Sequence, residues 1–325
     1  NAVKSDGTLW VWGSDSYGQL GLNGLGAQSS PIQIPGSWKA SSQGNYNSGA
    51  IKTDGTLWTW GKNADQGQLG HNDTVHRSSP IQVGTDSTWK AIHMDNGRAV
   101  ATKTDGSLWC WGNAGSGAMA NNRQPSSPRF SSPVQVGSAS EDNSFKWGDK
   151  LGGAWSSLCA FKQDGTLWVW GGNDEGQLGQ NQGWAYLRGK SSPTLVEAPG
   201  MTGKKWSKIT GGYTGFYIAT RSDGTLWTWG HGANGYGNLG QNQSGPADRS
   251  RPIQIGTGTD WLDSSASAYM ASAIKTDGTL WSWGYNHQGQ LGHNDIVFKS
   301  SPTQVPGTNW KNNNNPFLGA MLANQ

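Results

Sequence analysis

Cysteine is nearly absent from this chain: Cys110 and Cys159 are the only two among 325 residues. They occupy non-equivalent places in the pattern described below, so neither a disulfide framework nor a metal site follows from them. Charge is scarce as well. Asp, Glu, Lys and Arg make up 14% of the chain and leave a net charge of +3, too small a surplus to mark nucleic-acid binding by itself. No run of 18 apolar residues occurs, so no stretch reads as a membrane-spanning helix. Histidine is limited to six residues, with no Cys or His cluster at zinc spacing. The reading is of no metal and no cofactor. No glycine-rich phosphate loop opens a helix. The few carboxylates recur with the pattern, and no separate acid/base couple stands out.

What the chain has in excess is glycine, 50 residues, and tryptophan, 20 residues. Much glycine in a polar chain accompanies disorder in many proteins, but tryptophan at fixed positions argues for packed order. The stretch Lys52-Thr53-Asp54-Gly55-Thr56-Leu57-Trp58-Thr59-Trp60-Gly61 is written six times, the other copies starting at Lys4, Lys103, Lys162, Arg221 and Lys275. Each copy reads as a strand end, a tight Asp-Gly turn of type I′ and a return strand. Alternation puts Leu57 and Thr59 on one face of that strand and Trp58 and Trp60 on the other. A lone hairpin has nothing to cover two indoles, so the neighbouring copy must. The turn aspartates recur every 48 to 59 residues, a period that suggests propeller blades in a single domain spanning 1–325.

Three further signals travel with each hairpin. A Gly-Gln-Leu-Gly block follows at 18–21, 67–70, 176–179 and 289–292, with Gly237-Asn238-Leu239-Gly240 and Gly117-Ala118-Met119-Ala120 as the divergent copies. Two residues later stands an Asn (23, 72, 122, 181, 242 and 294), suited to a left-handed turn. A proline step such as Pro31-Ile32-Gln33-Ile34 then reads as the first residue of an edge strand. Last, a single Trp opens another strand: Trp38, Trp89, Trp147, Trp206, Trp261 and Trp310. Only Trp155 and Trp184 fall outside this pattern.

These blocks, in this order and followed by Ala-Ile-Lys-x-Asp-Gly-x-Leu-Trp, resemble the repeat of the regulator of chromosome condensation in its Trp-rich bacterial and viral form. The resemblance covers nearly the whole chain. It implies an all-β fold, a β-propeller that usually has seven blades. It does not imply the nucleotide-exchange activity of the eukaryotic founder, whose loops have no match here. Six full periods are present. Either residues 310–318 complete the first blade and close a ring of six, or one repeat of a seven-bladed ring is missing. The chain starts inside a repeat, at Asn1, without a signal-peptide pattern, and reads as a processed product or a fragment.

Two sets of residues are candidates for function. Lys4, Lys52, Lys103, Lys162, Arg221 and Lys275 hold one position in every unit, and propeller symmetry would set them in a circle able to attract an anion. The alternative is that each pairs with its turn Asp, which contributes little to stability when exposed. His71 and His293 stand where Gln180 and Gln241 stand in other units, so they read as turn residues. The second set lies in insertions that break the symmetry: Arg123 and Phe130 in the third unit, Trp184, Tyr186 and Arg188 in the fourth, Tyr236 in the fifth. Loops on a rigid scaffold concentrate binding residues, and Trp, Tyr and Arg dominate hot spots. The alternative there is that these aromatics fold back on their own blade.

The expected function is therefore a non-enzymatic binding or structural module that recognises a protein or glycan on a cell or virion surface, alone or within a larger assembly. A propeller that inhibits or activates a partner enzyme is the rival reading. An enzyme working in the central channel is a third, without a polar constellation to support it.

Overall fold

In all six hairpins the Asp-Gly turn has the same geometry, and it differs from the type I′ form. Only the glycine takes positive φ, between +75° at Gly224 and +85° at Gly55. The Gly55 N–H donates to Lys52 O at 3.0 Å, and the Lys52 N–H to Thr56 O at 3.0 Å. This is a type I turn followed by a left-handed glycine. The Asp is held at negative φ because its carboxylate is already engaged. Asp54 accepts from the Thr56 N–H at 2.9 Å and the Thr56 hydroxyl at 2.6 Å. That hydroxyl in turn accepts from Trp58 Nε1 at 2.8 Å. The same relay joins Trp10, Thr8 and Asp6, Trp227, Thr225 and Asp223, and Trp281, Thr279 and Asp277. The motif Asp-Gly-Thr-Leu-Trp is thus a hairpin with its own side-chain lock.

The structure is a computed structural model and describes residues 1–310 apart from 65, 96, 121–128, 138–145, 183–188, 233–234 and 244–247. Its strands form five four-stranded sheets and one three-stranded sheet, all antiparallel where the register is given. The second sheet is typical: Trp38–Gln43, Asn47–Lys52, Leu57–Gly61 and Arg77–Gln82, in that order across the sheet. The single Trp therefore begins a sheet, although the sequence repeat counts it as the end of the preceding unit. The first sheet holds Ala2–Val3, Leu9–Gly13 and Gln28–Ile34. The residues expected to complete it lie, from 311 onward, outside the described residues. The described residues also hold a short 3-10 turn, Gly115–Gly117.

Packing divides the chain into two compact units. One comprises residues 1–151, 160–164 and 191–193; the other comprises 152–159, 165–190 and 194–325. Within the first unit, Trp60 is fully buried and packs with Leu9, Leu20, Ile34 and Trp38, while Leu57 on the opposite face packs with Val83, Trp89 and Trp111. Both faces of the Leu57–Gly61 strand are therefore covered by neighbouring sheets. Within the second unit, Leu226 and Trp283 join Phe216, Ile255 and Trp261 in the same way. Trp60, Trp111, Trp170, Trp229 and Trp283 are all 0% exposed.

The blocks between strands tie one sheet to the next. Trp60 Nε1 donates to Gln19 O at 2.9 Å, Trp111 Nε1 to Gln68 O, Trp229 Nε1 to Gln177 O and Trp283 Nε1 to Asn238 O. Each acceptor belongs to the Gly-Gln-Leu-Gly block of the preceding unit. The following Asn sits in the left-handed region, at φ between +56° and +61° for Asn23, Asn72, Asn181, Asn242 and Asn294. That bend turns the Asn23 N–H onto Ser78 O at 2.7 Å and the Asn242 N–H onto Ser300 O at 2.7 Å. The Asn is a connector between sheets as well as a turn. Proline does not start its strand: Pro31 is the fourth residue of Gln28–Ile34. It is tolerated there because the strand is at the sheet edge and its register shifts between Val11 and Gly13.

Candidate functional site

The six equivalent cations are held by tryptophan. Lys52 Nζ lies 3.8 Å from the Trp58 ring centroid and 5.3 Å from that of Trp38. Lys103 sits 4.0 Å from Trp109 and 4.7 Å from Trp89, and Lys275 sits 4.9 Å from both Trp261 and Trp281. Lys4, Lys162 and Arg221 lie over Trp10, Trp147 and Trp227. Each of these charges is attracted to the negative face of an indole. The expected pairing with the turn Asp occurs at Arg221, which binds Asp223. Lys103 and Lys275 instead pair with Asp86 at 2.5 Å and Asp260 at 3.1 Å, which lie just before the single Trp that opens the same sheet, Trp89 and Trp261.

The Asp86–Lys103 pair carries a pH prediction. The Lys103 ammonium, then the Thr88 hydroxyl and N–H, pull the Asp86 carboxyl down to about 2 against the opposing effect of burial. A carboxylate depressed in the folded state stabilises it above the unfolded pKa of about 4, and that contribution is lost as pH falls from about 4 to about 2. Lys103→Met should flatten the acid limb of the urea midpoint across that window. An unchanged limb would show that the pair is energetically silent.

His71 and His293 behave as turn residues. His71 Nε2 is 2.9 Å from Thr59 Oγ1 and His293 Nε2 is 2.9 Å from Ser282 Oγ. Gln180, at the equivalent place, donates to Leu178 O and Leu195 O. Of the insertion residues, Arg123, Trp184, Tyr186 and Arg188 lie outside the described residues. Phe130 is in the strand Arg129–Gln135, half-buried, where its backbone faces Gly112. It is not a loop residue. Tyr236 is half-buried at the centre of an aromatic cluster, with Tyr269 at 5.4 Å, Tyr285 at 4.9 Å and Phe298 at 5.2 Å between ring centroids.

That cluster reveals a place where the repeats diverge. Four positions converge at three junctions between one hairpin and the next: the residue before the Gly-Gln-Leu-Gly block, then three from the following unit. Those three are the residue before the hairpin's first strand, the one after Trp-Gly, and the one before the proline strand. In the first unit they are Tyr17, Tyr46, Lys62 and His76. Tyr17 meets Tyr46 at 5.1 Å and His76 at 5.7 Å, and Lys62 lies over both tyrosines. In the second unit one such set is wholly aromatic: Tyr236, Tyr269, Tyr285 and Phe298. Another is Glu175, Gly215, His231 and Asp248. There His231 Nδ1 is 3.1 Å from Glu175 Oε2 and 3.4 Å from Asp248 Oδ1. The Asp248 carboxylate and then that of Glu175 raise the imidazole pKa against the effect of burial.

The two sets of the second unit are linked. Thr214 Oγ1 donates to Ala268 O, next to Tyr269. Tyr213 stacks edge-on against Trp155 at 5.2 Å. Trp155 is 45% exposed, Phe298 39% and Tyr269 37%, and Ile296 and Val297 beside Phe298 are more exposed still. Trp155 falls outside the tryptophan repeat, but the candidate surface expected from the sequence is Trp184, Tyr186 and Arg188 instead. Tyr269, Tyr285 and Phe298 are single aromatics in three separate stretches, with no local signal that they meet.

Comparison with known proteins agrees with this architecture. The profile of the regulator of chromosome condensation (RCC1) repeat matches residues 6–51, 54–99, 164–215 and 277–314, together more than half of the chain. The intervening stretches hold the two divergent copies of the Gly-Gln-Leu-Gly block. The chain is 26% identical to the mitochondrial RCC1 domain-containing protein RUG3 of Arabidopsis thaliana over 91% of its own length and 70% of that protein's. It is 28% identical to mouse E3 ubiquitin-protein ligase HERC2 and 27% identical to the Arabidopsis ultraviolet-B receptor UVR8. It spans only 5% of the former and half of the latter. Among solved structures, yeast RCC1 (Prp20) in its complex with Kap60 superposes with a TM-score of 0.78 at 17% identity, covering 94% of this chain and 72% of that one. Human WBSCR16 superposes with a TM-score of 0.75 at 17% identity, covering 92% and 78%. The repeated sheet, its Asp-Gly lock, the matched profile and these superpositions lead to one conclusion: the chain belongs to the RCC1 repeat family and has its all-β propeller fold, with six repeats present.

Proposed function

We propose that this chain is a non-enzymatic protein-binding propeller, and that it binds through the aromatic loop surface of its second unit. The observation that carries this reading is the exposure of Trp155, Tyr213, Tyr269 and Phe298. They occupy loop positions where the framework, which buries Trp60, Trp111, Trp170, Trp229 and Trp283, has no need of an aromatic. Large rigid aromatics bury much area at small entropic cost and dominate interfaces between proteins. Among structures that share the fold, one is of yeast RCC1 (Prp20) bound to Kap60 and another is of Prp20p from Saccharomyces cerevisiae, with binding to Gsp1p and histones. This supports a protein partner over a glycan.

The test is a pair of variants, Trp155→Ala and the double variant Tyr269→Ala with Phe298→Ala. Each is compared with wild type for capture of partners from the source organism and then for affinity to the captured protein. Loss of two hot-spot side chains should weaken binding by about 30-fold or more, the equivalent of about 2 kcal/mol. Circular dichroism should show an unaltered fold. Affinity that survives both variants, or saturable binding to a glycan array that depends on the same aromatics, would overturn the reading.

A further inference from the structure

We propose that Glu175, His231 and Asp248 form a binding site for a divalent transition-metal ion of the zinc class. These three residues lie in the second unit, and one ligand atom from each lies within 4.8 Å of the others. His231 Nδ1 is 3.1 Å from Glu175 Oε2 and 3.4 Å from Asp248 Oδ1. Ligands of a tetrahedral zinc ion, each about 2.0–2.1 Å from the metal, are about 3.3–3.4 Å from one another. The two nitrogen–oxygen spacings thus match a tetrahedron edge, and the two carboxylates offer oxygens within 4.8 Å of each other. One imidazole nitrogen and two carboxylates are donors of the type that zinc accepts.

The arrangement differs from a simple ion pair. Nδ1 of His231 is buried, yet neither carboxylate oxygen lies along an N–H direction that would make a hydrogen bond. Each residue is also held in place by groups that a metal would not displace. The His231 N–H donates to Gly215 O at 3.0 Å, and its carbonyl accepts from the fully buried Asn238 at 2.8 Å. Asp248 Oδ1 accepts from the Gly232 N–H at 2.8 Å. The Glu175 N–H donates to the buried Gln177 side chain at 2.8 Å. Outer-shell bonds of this kind orient metal ligands.

At the position where Tyr46 and Tyr269 bring an aromatic ring to their own clusters, Gly215 has no side chain; a Cβ there would meet Gln177 Nε2 and Trp155 Cβ at 3.6 Å and His231 Cβ at 4.0 Å. Spacing in the sequence gave no hint of the set, because its members come from the fourth and fifth units, 56 and 17 residues apart along the chain. Only the stacking of one hairpin on the next brings them together.

The test uses the full chain, purified without a histidine tag and treated with chelator. Titration with ZnCl2 by calorimetry should show saturable binding of one ion per chain, and Co(II) should give the visible absorption of a low-coordinate site. His231→Ala and Glu175→Gln should each weaken binding by about 10-fold or more, and both should retain the wild-type circular dichroism. His287→Ala, outside the cluster, should leave the titration unchanged. Absence of saturable binding to the wild type would overturn the proposal. So would an affinity that neither His231→Ala nor Glu175→Gln alters. The proposal is independent of the aromatic surface, since Zn(II) binding is read without any partner.

Discussion

Trp60→Ala lowers the stability of the chain by about 3–5 kcal/mol, the usual cost of deleting a large buried aromatic. Trp60 has no exposed surface, and its ring fills the space beside Leu9, Leu20 and Trp38. Its truncation also removes the indole donor that the Gln19 carbonyl meets at 2.9 Å, although the Ser48 hydroxyl at 2.8 Å still satisfies that carbonyl. The indole sits between two sheets, so little local collapse is available to shrink the cavity. Trp155→Ala is the contrast: the ring is 45% exposed and makes its aromatic contact with Tyr213 alone among the described residues. Its left-handed backbone, φ +52°, is as strained for alanine as for tryptophan. The cost there should stay within about 1 kcal/mol. Urea titration of both variants decides the matter, and equal losses would contradict the core described above.

The second large effect is expected at Gly55. Its φ is +85°, and an added Cβ would stand 1.9 Å from Ser87 O. Left-handed backbone costs an L-residue about 1–2 kcal/mol, and forced repacking against a fixed neighbour costs about 1–3 kcal/mol more. The neighbour is fixed because it is backbone, and because the Trp89 N–H two residues on donates to Gly55 O at 3.0 Å. Turn and strand are therefore bound together and have no room to part. Gly84→Ala separates the two contributions. Gly84 has φ +61° but nothing within 4 Å of its Cβ, so it should lose only the conformational part. If Gly55→Ala is no worse than Gly84→Ala, the close approach of hairpin and next sheet has no energetic weight.

Gly55 and Trp60 also mark how far the sequence alone could be read. The period, the strands and the buried pair of indoles follow from local rules: alternation, a turn dipeptide written six times, and tryptophans that need cover. The turn itself was legible in place but not in type. The deciding bond runs from Asp54 to Thr56, and a side-chain hydroxyl competing for a carboxylate leaves no trace in a propensity. The cations were legible as a set. Their resting place was not, since Lys52 meets Trp38 only after two strands have paired, Trp38 opposite Lys52.

The functional surface lay furthest from reach. By itself the sequence determined the repeat, its hairpins and a core of tryptophan, because these are short-range patterns that each unit states in full. Tertiary structure alone decided which side chains of one unit touch those of the next. Tyr17 meets Tyr46 and His76, Tyr236 meets Tyr285 and Phe298, and His231 meets Glu175 and Asp248. The physical reason is that a repeat constrains its framework positions by packing within and between sheets, while the loop ends between them are free to vary. Their chemistry is set by pairs of residues 17 to 62 positions apart, and only the stacking of sheets makes such pairs neighbours.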